Sequence, residues 1–277
     1  MAQAGGGKLR VSYLGPEATF THEAALRHFG PEAELLPAGS IAAVFDEVEA
    51  GRADQGVVPV ENALEGTVNV TLDRLIDSPL CVVGEVRLPI DIHLLTLAEE
   101  VGEVRRVLSH PHAVAQCRGW LRDNLPDAAV EEVASTSLAA QQAARDRTLA
   151  ALGSRMAAQR YGLRVLVAKL DTESINVTRF FVLGKAPAPQ TPRSRTSLLF
   201  VVRNEPGSLF RALTPVAEVK VNMTKIESRP SRRKAWDYVF FMDVEGHAEA
   251  PPLSGCLERL RGEVEYLRVL GSYPAGE

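Results

Sequence analysis

The sequence predicts an α/β fold in two parts: a two-lobed domain with a cleft, followed by a smaller ferredoxin-like βαββαβ domain. Three observations lead there. At 277 residues the chain exceeds one ordinary core. Strand-like and helix-like segments alternate through the first two thirds of the chain, which is the pattern of layered α/β folds. A Pro-rich basic stretch, KAPAPQTPRSR at 185–195, then separates this region from a different element order.

In chain order, residues 9–15 (LRVSYLG) read as a strand, and residues 22–30 as a helix with Thr21 as cap and Gly30 as stop. Ile41, Val44, Phe45 and Val48 fall on one helical face behind Ser40, and Gly51 closes that helix. Residues 55–61 form a short buried strand, after which Gly66 and Thr67 open a helix marked by Leu72, Leu75 and Ile76. Residues 80–97 read as two long strands or one bent crossover. The alternation then restarts: RVLS, a helix over about 113–125, VEEVAS, a helix over about 138–145, LAALGS, and a helix ending at Gly162. The strand at 175–184 fits best as a return into the first half, giving two lobes joined by two crossovers. A cleft between lobes is the expected ligand site.

Beyond the Pro-rich stretch, TSLLFVVRNEPGSLFRAL gives a strand, a Pro-Gly turn and a helix. Residues 221–246 give a hairpin with a charged loop at 231–234, and LSGCLERLRGEVEYLRVLGSY gives a helix and a last strand. This is the ferredoxin-like order. So small a domain exposes a sheet edge, which suits pairing with its copy in another subunit.

Composition narrows the function classes. Hydrophobic residues are 45%, charged residues 24%, and the net charge is −4, so nothing favours nucleic acid or an anionic membrane surface. No apolar run approaches the roughly 20 residues that span a bilayer. The start, MAQAGGGK, lacks the apolar region of a signal peptide and reads as a disordered tail over residues 1–8. Cys81, Cys117 and Cys256 have neither metal-ligand nor CxxC spacing and read as reduced thiols of a cytosolic protein. Neither a Gly-rich dinucleotide fingerprint nor a P-loop occurs, so no nucleotide cofactor is expected.

The segment INVTRFFVLG, at 175–184, carries polar groups where a structural strand would place aliphatics. Strand alternation puts Asn176, Thr178 and Phe180 on one face and Val177, Arg179 and Phe181 on the other. A buried polar group without a partner costs about 1–3 kcal/mol, so these groups either pair within the protein or face a ligand. Strand ends also lead repeatedly through hydroxyls into helix starts, at Thr19 and Thr21, Ser109, Ser135 and Thr136, and Ser154. Each is an ordinary cap, yet several helix N-termini converging on one cleft would hold a carboxylated ligand. Glu61, Asn62 and Glu65 follow a buried strand, and Gly66 just beyond them allows close backbone approach to a ligand. His110 and His112 flank a proline without acidic or thiol partners nearby in sequence, which argues against a metal pair and leaves His112 as a donor at a ligand-facing helix start.

Together, LGPEATFTHEAA, GVVPVENALEGTV, VLSHPHAVAQCRGWL, STSLAAQ, ALGSRMAAQRYGL and NVTRFFVLG resemble the successive motifs of prephenate dehydratase. NEPGSLFRAL and NMTKIESRP resemble its C-terminal ACT regulatory domain. The resemblance covers about residues 9–273, in order. It implies a periplasmic-binding-protein-like catalytic domain over 9–184, with lobe 1 at about 9–85 plus 175–184 and lobe 2 at about 86–174, then a linker at 185–195 and an ACT domain at 196–277. No helical extension precedes Leu9, so a fused chorismate mutase is not expected.

The implied reaction converts prephenate to phenylpyruvate, without metal or organic cofactor, in the cytoplasm. The family's essential threonine falls on Thr178, and other active-site positions fall on Glu61, Asn62, Ser109, Ser135, Thr136 and Arg179. With Thr19, Gly66, Thr67, His112 and Asn176 these make the expected substrate site. Alternation turns Arg179 away from Thr178, so it would steady the strand or the second lobe. The phenylalanine-binding motifs fall on Gly207, Ser208 and Leu209, and on Asn222, Glu227, Ser228, Arg229 and Pro230. The implied assembly is a homodimer or homotetramer. Three positions depart from the family pattern: Ala18 stands for Gly, Ala63 for Ser, and His112 for Gln. Arogenate dehydratase and a catalytically silent amino-acid sensor are the alternatives.

Overall fold

The computed structural model describes residues 7–170, 175–231 and 238–276. Its first lobe comprises β1 (Arg10–Leu14), α1 (Phe20–Phe29), β2 (Glu34–Ala38), α2 (Ile41–Glu49), β3 (Gln55–Asn62), β4 (Gly66–Thr67), α3 (Asn69–Asp77) and β5 (Cys81–Pro89). The second holds β6 (His93–Thr96), β7 (Arg106–Ser109), α4 (Pro111–Asn124), β8 (Ala129–Glu132), α5 (Thr136–Ala143), β9 (Leu149–Gly153), α6 (Arg155–Tyr161) and β10 (Arg164–Val167). The chain then returns as β11 (Val177–Gly184), which inserts between β3 and β5, antiparallel to both. The first sheet runs β2-β1-β3-β11-β5 with β4 on β3, and the second runs β10-β6-β9-β7-β8. The predicted return strand and the two crossovers are both present.

The smaller domain is β12 (Ser194–Val201), α7 (Ser208–Glu218), β13 (Met223–Pro230), β14 (Tyr238–Glu245), α8 (Leu253–Glu263) and β15 (Tyr266–Pro274), with sheet order β13-β14-β12-β15. Alternation along its strands separates two apolar faces. Leu198, Phe200, Met242 and Val244 pack under the two helices against Ala212, Val216, Cys256 and Leu260. Leu199, Phe241 and Tyr273, on the other face, join one core with Leu72, Leu80, Val82 and Phe181 of the first lobe. A Cβ on Gly271 would lie 2.0 Å from the carbonyl oxygen of Val82, so only glycine lets β15 approach β5 this closely.

Several expectations are corrected. α1 begins two residues earlier than read, at Phe20: Thr19 is the cap and its Oγ1 accepts from His22 N at 3.3 Å, while Thr21 lies buried inside the helix. Gly66 and Thr67 do not open a helix; they fold back as β4 on Asn62 and Glu61, and α3 starts behind Val68. α4 and α5 each start two residues before the positions read from sequence, capped by His110 and Ser135, because a cap lies outside the apolar period that marks a helix. β5 stays in the first sheet to Pro89, four residues past the expected lobe boundary at 85/86, because β11 pairs with it that far. Ser194 and Arg195 already belong to β12, so the strand begins inside the expected linker. Of the predicted charged loop at 231–234, residues 232–234 lie outside the described residues, as does most of the predicted N-terminal tail.

Candidate active site between the lobes

A cavity of about 910 Å³ lies between the lobes. Thr19 from α1, His110 and His112 from α4, and Ser135 and Thr136 from α5 all line it. Three helix N-termini, from both lobes, therefore meet at one cavity. First-turn amides lack an acceptor in the body of the helix, although α4 opens on Pro111, which has no N–H, and its His112 N–H donates to His110 Nδ1 at 3.4 Å. The helix dipoles favour negative charge at all three starts. The capping hydroxyls of Thr19 and Ser135 are occupied by their own helices, at 3.3 and 3.0 Å. Backbone N–H groups are thus the anion-holding feature.

The cavity floor is an amide chain whose direction is forced. Asn62 Oδ1 accepts from the N–H groups of Leu64 and Glu65 at 2.9 and 3.0 Å, which fixes the orientation of the side chain. Its Nδ2 consequently donates to Asn176 Oδ1 and to Thr178 Oγ1, each at 2.8 Å. Asn176 Nδ2 then donates to Gln116 Oε1 at 2.8 Å, and Gln116 Nε2 to Glu65 Oε1 at 3.3 Å. Thr178 Oγ1 accepts from an amide, so its own proton remains available to donate. Asn62 and Asn176 line the cavity; Thr178, partly exposed, is not itself among the lining residues and is joined to them through the Asn62 side chain.

The lobes also meet through charged groups at the rim. Glu17 pairs with Arg160 at 2.9 Å, and Glu65 pairs with His112. Ser137 Oγ donates to the Glu17 carbonyl oxygen. Ala18 adopts φ 62°, a left-handed conformation that favours glycine, and its methyl is buried among Leu95 and Leu108 of the second lobe. Ala18 N–H donates to His22 Nδ1 at 2.9 Å, and His22 stacks on Tyr13 at 4.7 Å. Burial pushes the His22 imidazole pKa below its ordinary value, opposed by Glu17 and assisted by Arg160. The neutral ring this favours is the form that can accept from Ala18. Ala63, another departure, is exposed, and its N–H donates to the Val177 carbonyl oxygen at 2.9 Å.

The structure divides the expected substrate residues. Thr19, Asn62, His112, Ser135, Thr136 and Asn176 line the cavity. Ser109 does not: it is fully buried and its hydroxyl donates to the Leu152 carbonyl oxygen at 2.8 Å. Glu61, Thr67 and Arg179 face the smaller domain instead. Glu61 Oε1 accepts from Lys225 Nζ at 2.9 Å, and Thr67 Oγ1 donates to Glu227 at 3.0 Å. Gly66, with φ 83°, is exposed at the hairpin turn. Arg179 is buried, donating to Glu85 at 2.6 Å, Asp243 at 2.5 Å and the Tyr273 hydroxyl at 3.0 Å. Burial opposes its charge, but Asp243, Tyr273 and Glu85 outweigh that and raise its pKa further. Arg179 thus braces its strand against the smaller domain and not against the second lobe.

Sequence reasoning missed Gln116, Glu17 and Arg160. Gln116 stands four residues after His112, on the same face of α4, which is the signal that could have found it. In the smaller domain, Gly207, Ser208 and Leu209 line a second cavity of about 220 Å³ with Asn204, Tyr238 and Phe240. Gly207 has φ 79° at the start of α7. Ser228 and Pro230 are exposed on β13 and Asn222 is exposed just before it, whereas Glu227 and Arg229 turn to the first lobe, Arg229 pairing with Asp73 at 3.0 Å.

Comparison with known proteins fits this geometry. A family model described as prephenate dehydratase matches residues 11–188, and one described as ACT domain matches residues 196–262. The chain is 48% identical over 267 residues to a bifunctional chorismate mutase/prephenate dehydratase of Aquifex aeolicus, covering 96% of this chain and 74% of that protein. It is 39% identical over 268 residues to the prephenate dehydratase of Amycolatopsis methanolica, covering 95% and 88%. The crystal structure of an Arthrobacter aurescens prephenate dehydratase in complex with L-Phe superposes with TM-score 0.88 at 31% identity, covering 96% of this chain and 90% of that one. A structure titled as GqqA, a novel type of quorum quenching acylase, superposes with TM-score 0.87 at 32% identity, covering 96% and 97%. The chain belongs to the prephenate dehydratase family and carries an ACT domain at its C-terminal end.

Proposed function

We propose that this chain converts prephenate to phenylpyruvate, with Thr178 as the catalytic donor. Breaking the ring C–CO₂⁻ bond releases CO₂; its electron pair aromatises the ring and expels the ring hydroxyl, which leaves with a proton as water. Aromatisation supplies the driving force, so the protein must hold a dicarboxylate, orient the breaking bond and assist the departing hydroxide. The observation that carries the reading is the forced Asn62 to Thr178 hydrogen bond, which leaves the threonine proton free to meet charge developing on the leaving oxygen. The amides at the starts of α1, α4 and α5 hold the carboxylates. They do so through partial charges, which do not pin the negative charge that decarboxylation must disperse.

Prephenate is favoured over arogenate, its amino counterpart, because both carboxylates lining the cavity are already engaged. Glu17 is paired with Arg160 and Glu65 with His112. The test incubates the pure chain with prephenate and, separately, arogenate, and follows phenylpyruvate or phenylalanine. Phenylpyruvate from prephenate is expected; turnover of neither substrate contradicts the enzyme reading and leaves a silent sensor.

The smaller domain supports feedback by phenylalanine, the pathway's end product. The turn at Gly207–Leu209 offers backbone N–H groups to an amino-acid carboxylate beside the cavity of about 220 Å³. The exposed row Asn222, Ser228 and Pro230 completes the site across a subunit interface. Exposed Phe210, Met223, Ile226 and Tyr238 suit pairing with a second copy, as a homodimer or homotetramer. No helix among the described residues is long and apolar enough to cross a membrane.

A further inference from the structure

β3 and β11 present consecutive residues to two different parts of the molecule. Their register pairs Thr178 with Asn62 and Arg179 with Glu61. Asn62 lines the cleft and donates to Thr178, whereas Glu61 and Arg179 turn to the reverse face and meet the smaller domain. There Lys225 Nζ donates to Glu61 Oε1 at 2.9 Å and to Thr67 Oγ1 at 3.0 Å. Arg179 lies 3.8 Å from Glu61 and 2.5 Å from Asp243.

β13 repeats the device. Lys225, Glu227 and Arg229 reach the first lobe, at Glu61, Thr67 and Asp73, while Ile226, Ser228 and Pro230 between them are exposed on the other face. A strand shift imposed from the exposed face must move the inward row with it, because successive side chains share one backbone. A displaced Lys225 then either draws Glu61 along or leaves a nearly buried charge unpaired, and the second option is the costly one.

We propose that Lys225 and Arg179 are positioning residues, which set the Asn62–Thr178 geometry according to the state of the C-terminal sheet. The proposal rests on the dehydratase and phenylalanine readings above. Phenylalanine bound against the outer row of β13 shifts the inner row, Lys225 moves Glu61, and Asn62, the next residue, loses its alignment with Thr178. Arg179, tied to Asp243 on β14, holds the other strand of the pair.

The test uses full-length Lys225→Met and Lys225→Arg, with phenylalanine binding by calorimetry and prephenate kinetics with and without phenylalanine. Lys225→Met is expected to bind phenylalanine within about threefold of wild type, while the fall in kcat at saturating phenylalanine shrinks to less than about twofold. Lys225→Arg, which keeps the charge, restores inhibition. A merely structural lysine would lower stability without separating binding from inhibition. If Lys225→Met does not fold, Thr67→Val, which removes a partner shared by Lys225 and Glu227, must show the same separation. Unchanged inhibition in a variant that binds phenylalanine overturns this proposal alone. A wild-type chain that binds no phenylalanine overturns the regulatory reading and this proposal together. If wild type binds phenylalanine but turns over no prephenate, the dehydratase reading fails. The coupling is then read as phenylalanine-dependent amide exchange over residues 58–62, present in wild type and absent in Lys225→Met; its presence in both overturns the coupling.

Discussion

The first lobe is joined to the second lobe and to the C-terminal domain by very different charged contacts. Across the cleft, Glu17 and Arg160 meet with side chains 48% and 58% exposed, and Glu65 and His112 with 34% and 61%. Across the other interface, Arg179, Glu85 and Asp243 meet with 8%, 0% and 6% exposed. Exposed pairs are screened and contribute little, whereas breaking a buried one strands its partner in a low dielectric. The cleft is therefore held by contacts that can open for substrate, and the C-terminal sheet by contacts that cannot slip without consequence.

The largest effect should come from the buried side of this contrast. Arg179→Met leaves Glu85 with Arg195 as its remaining cation, beside the Gly276 N–H, and leaves Asp243 hydrogen-bonded to Ser197 without its cation. Loss of about 3–5 kcal/mol is expected in denaturant unfolding. A loss under about 1 kcal/mol would erase the distinction between the two interfaces.

Acid sharpens the comparison on the cleft side. His22 has a lowered pKa from burial and accepts from Ala18 N–H, so the folded state favours the neutral ring. Its contribution is complete above the unfolded value of about 6.5 and is lost as pH falls through the lower folded value. His22→Gln, which can still accept, should therefore lose less melting temperature than wild type between pH 7.5 and 5.5. Parallel losses would place the acid sensitivity elsewhere.

The smallest effect is assigned to the exposed pair. Arg160→Gln should change unfolding stability by less than about 1 kcal/mol, because both partners are solvated. A cost above about 2 kcal/mol would mean that the cleft is held as firmly as the other interface.

What the sequence showed and what it hid follow the same line. The polar face of β11 and the converging helix starts were legible, because period-2 alternation and capping residues are local signals. The two domains were legible from element order. β2 and β10 were not, since each is short and mostly half-buried, with no regular apolar alternation to mark a strand. Alternation correctly put Arg179 opposite Thr178, but not what covers that face. Glu61, Thr67, Glu227 and Arg229 were all read as ligand contacts for the same reason: docking of the C-terminal sheet is a tertiary fact with no local signature. Ser109 was read as a pocket hydroxyl, yet it is spent on the Leu152 carbonyl.

The proposed reaction turns on Thr178 donating to the departing hydroxyl, held in place by Asn62. It is tested most directly by kcat for prephenate in Thr178→Ala, with folding checked by circular dichroism. A fall of at least about a hundredfold in kcat is expected, the range for losing one oriented transition-state donor. A variant that folds and keeps more than about a tenth of wild-type kcat would contradict it.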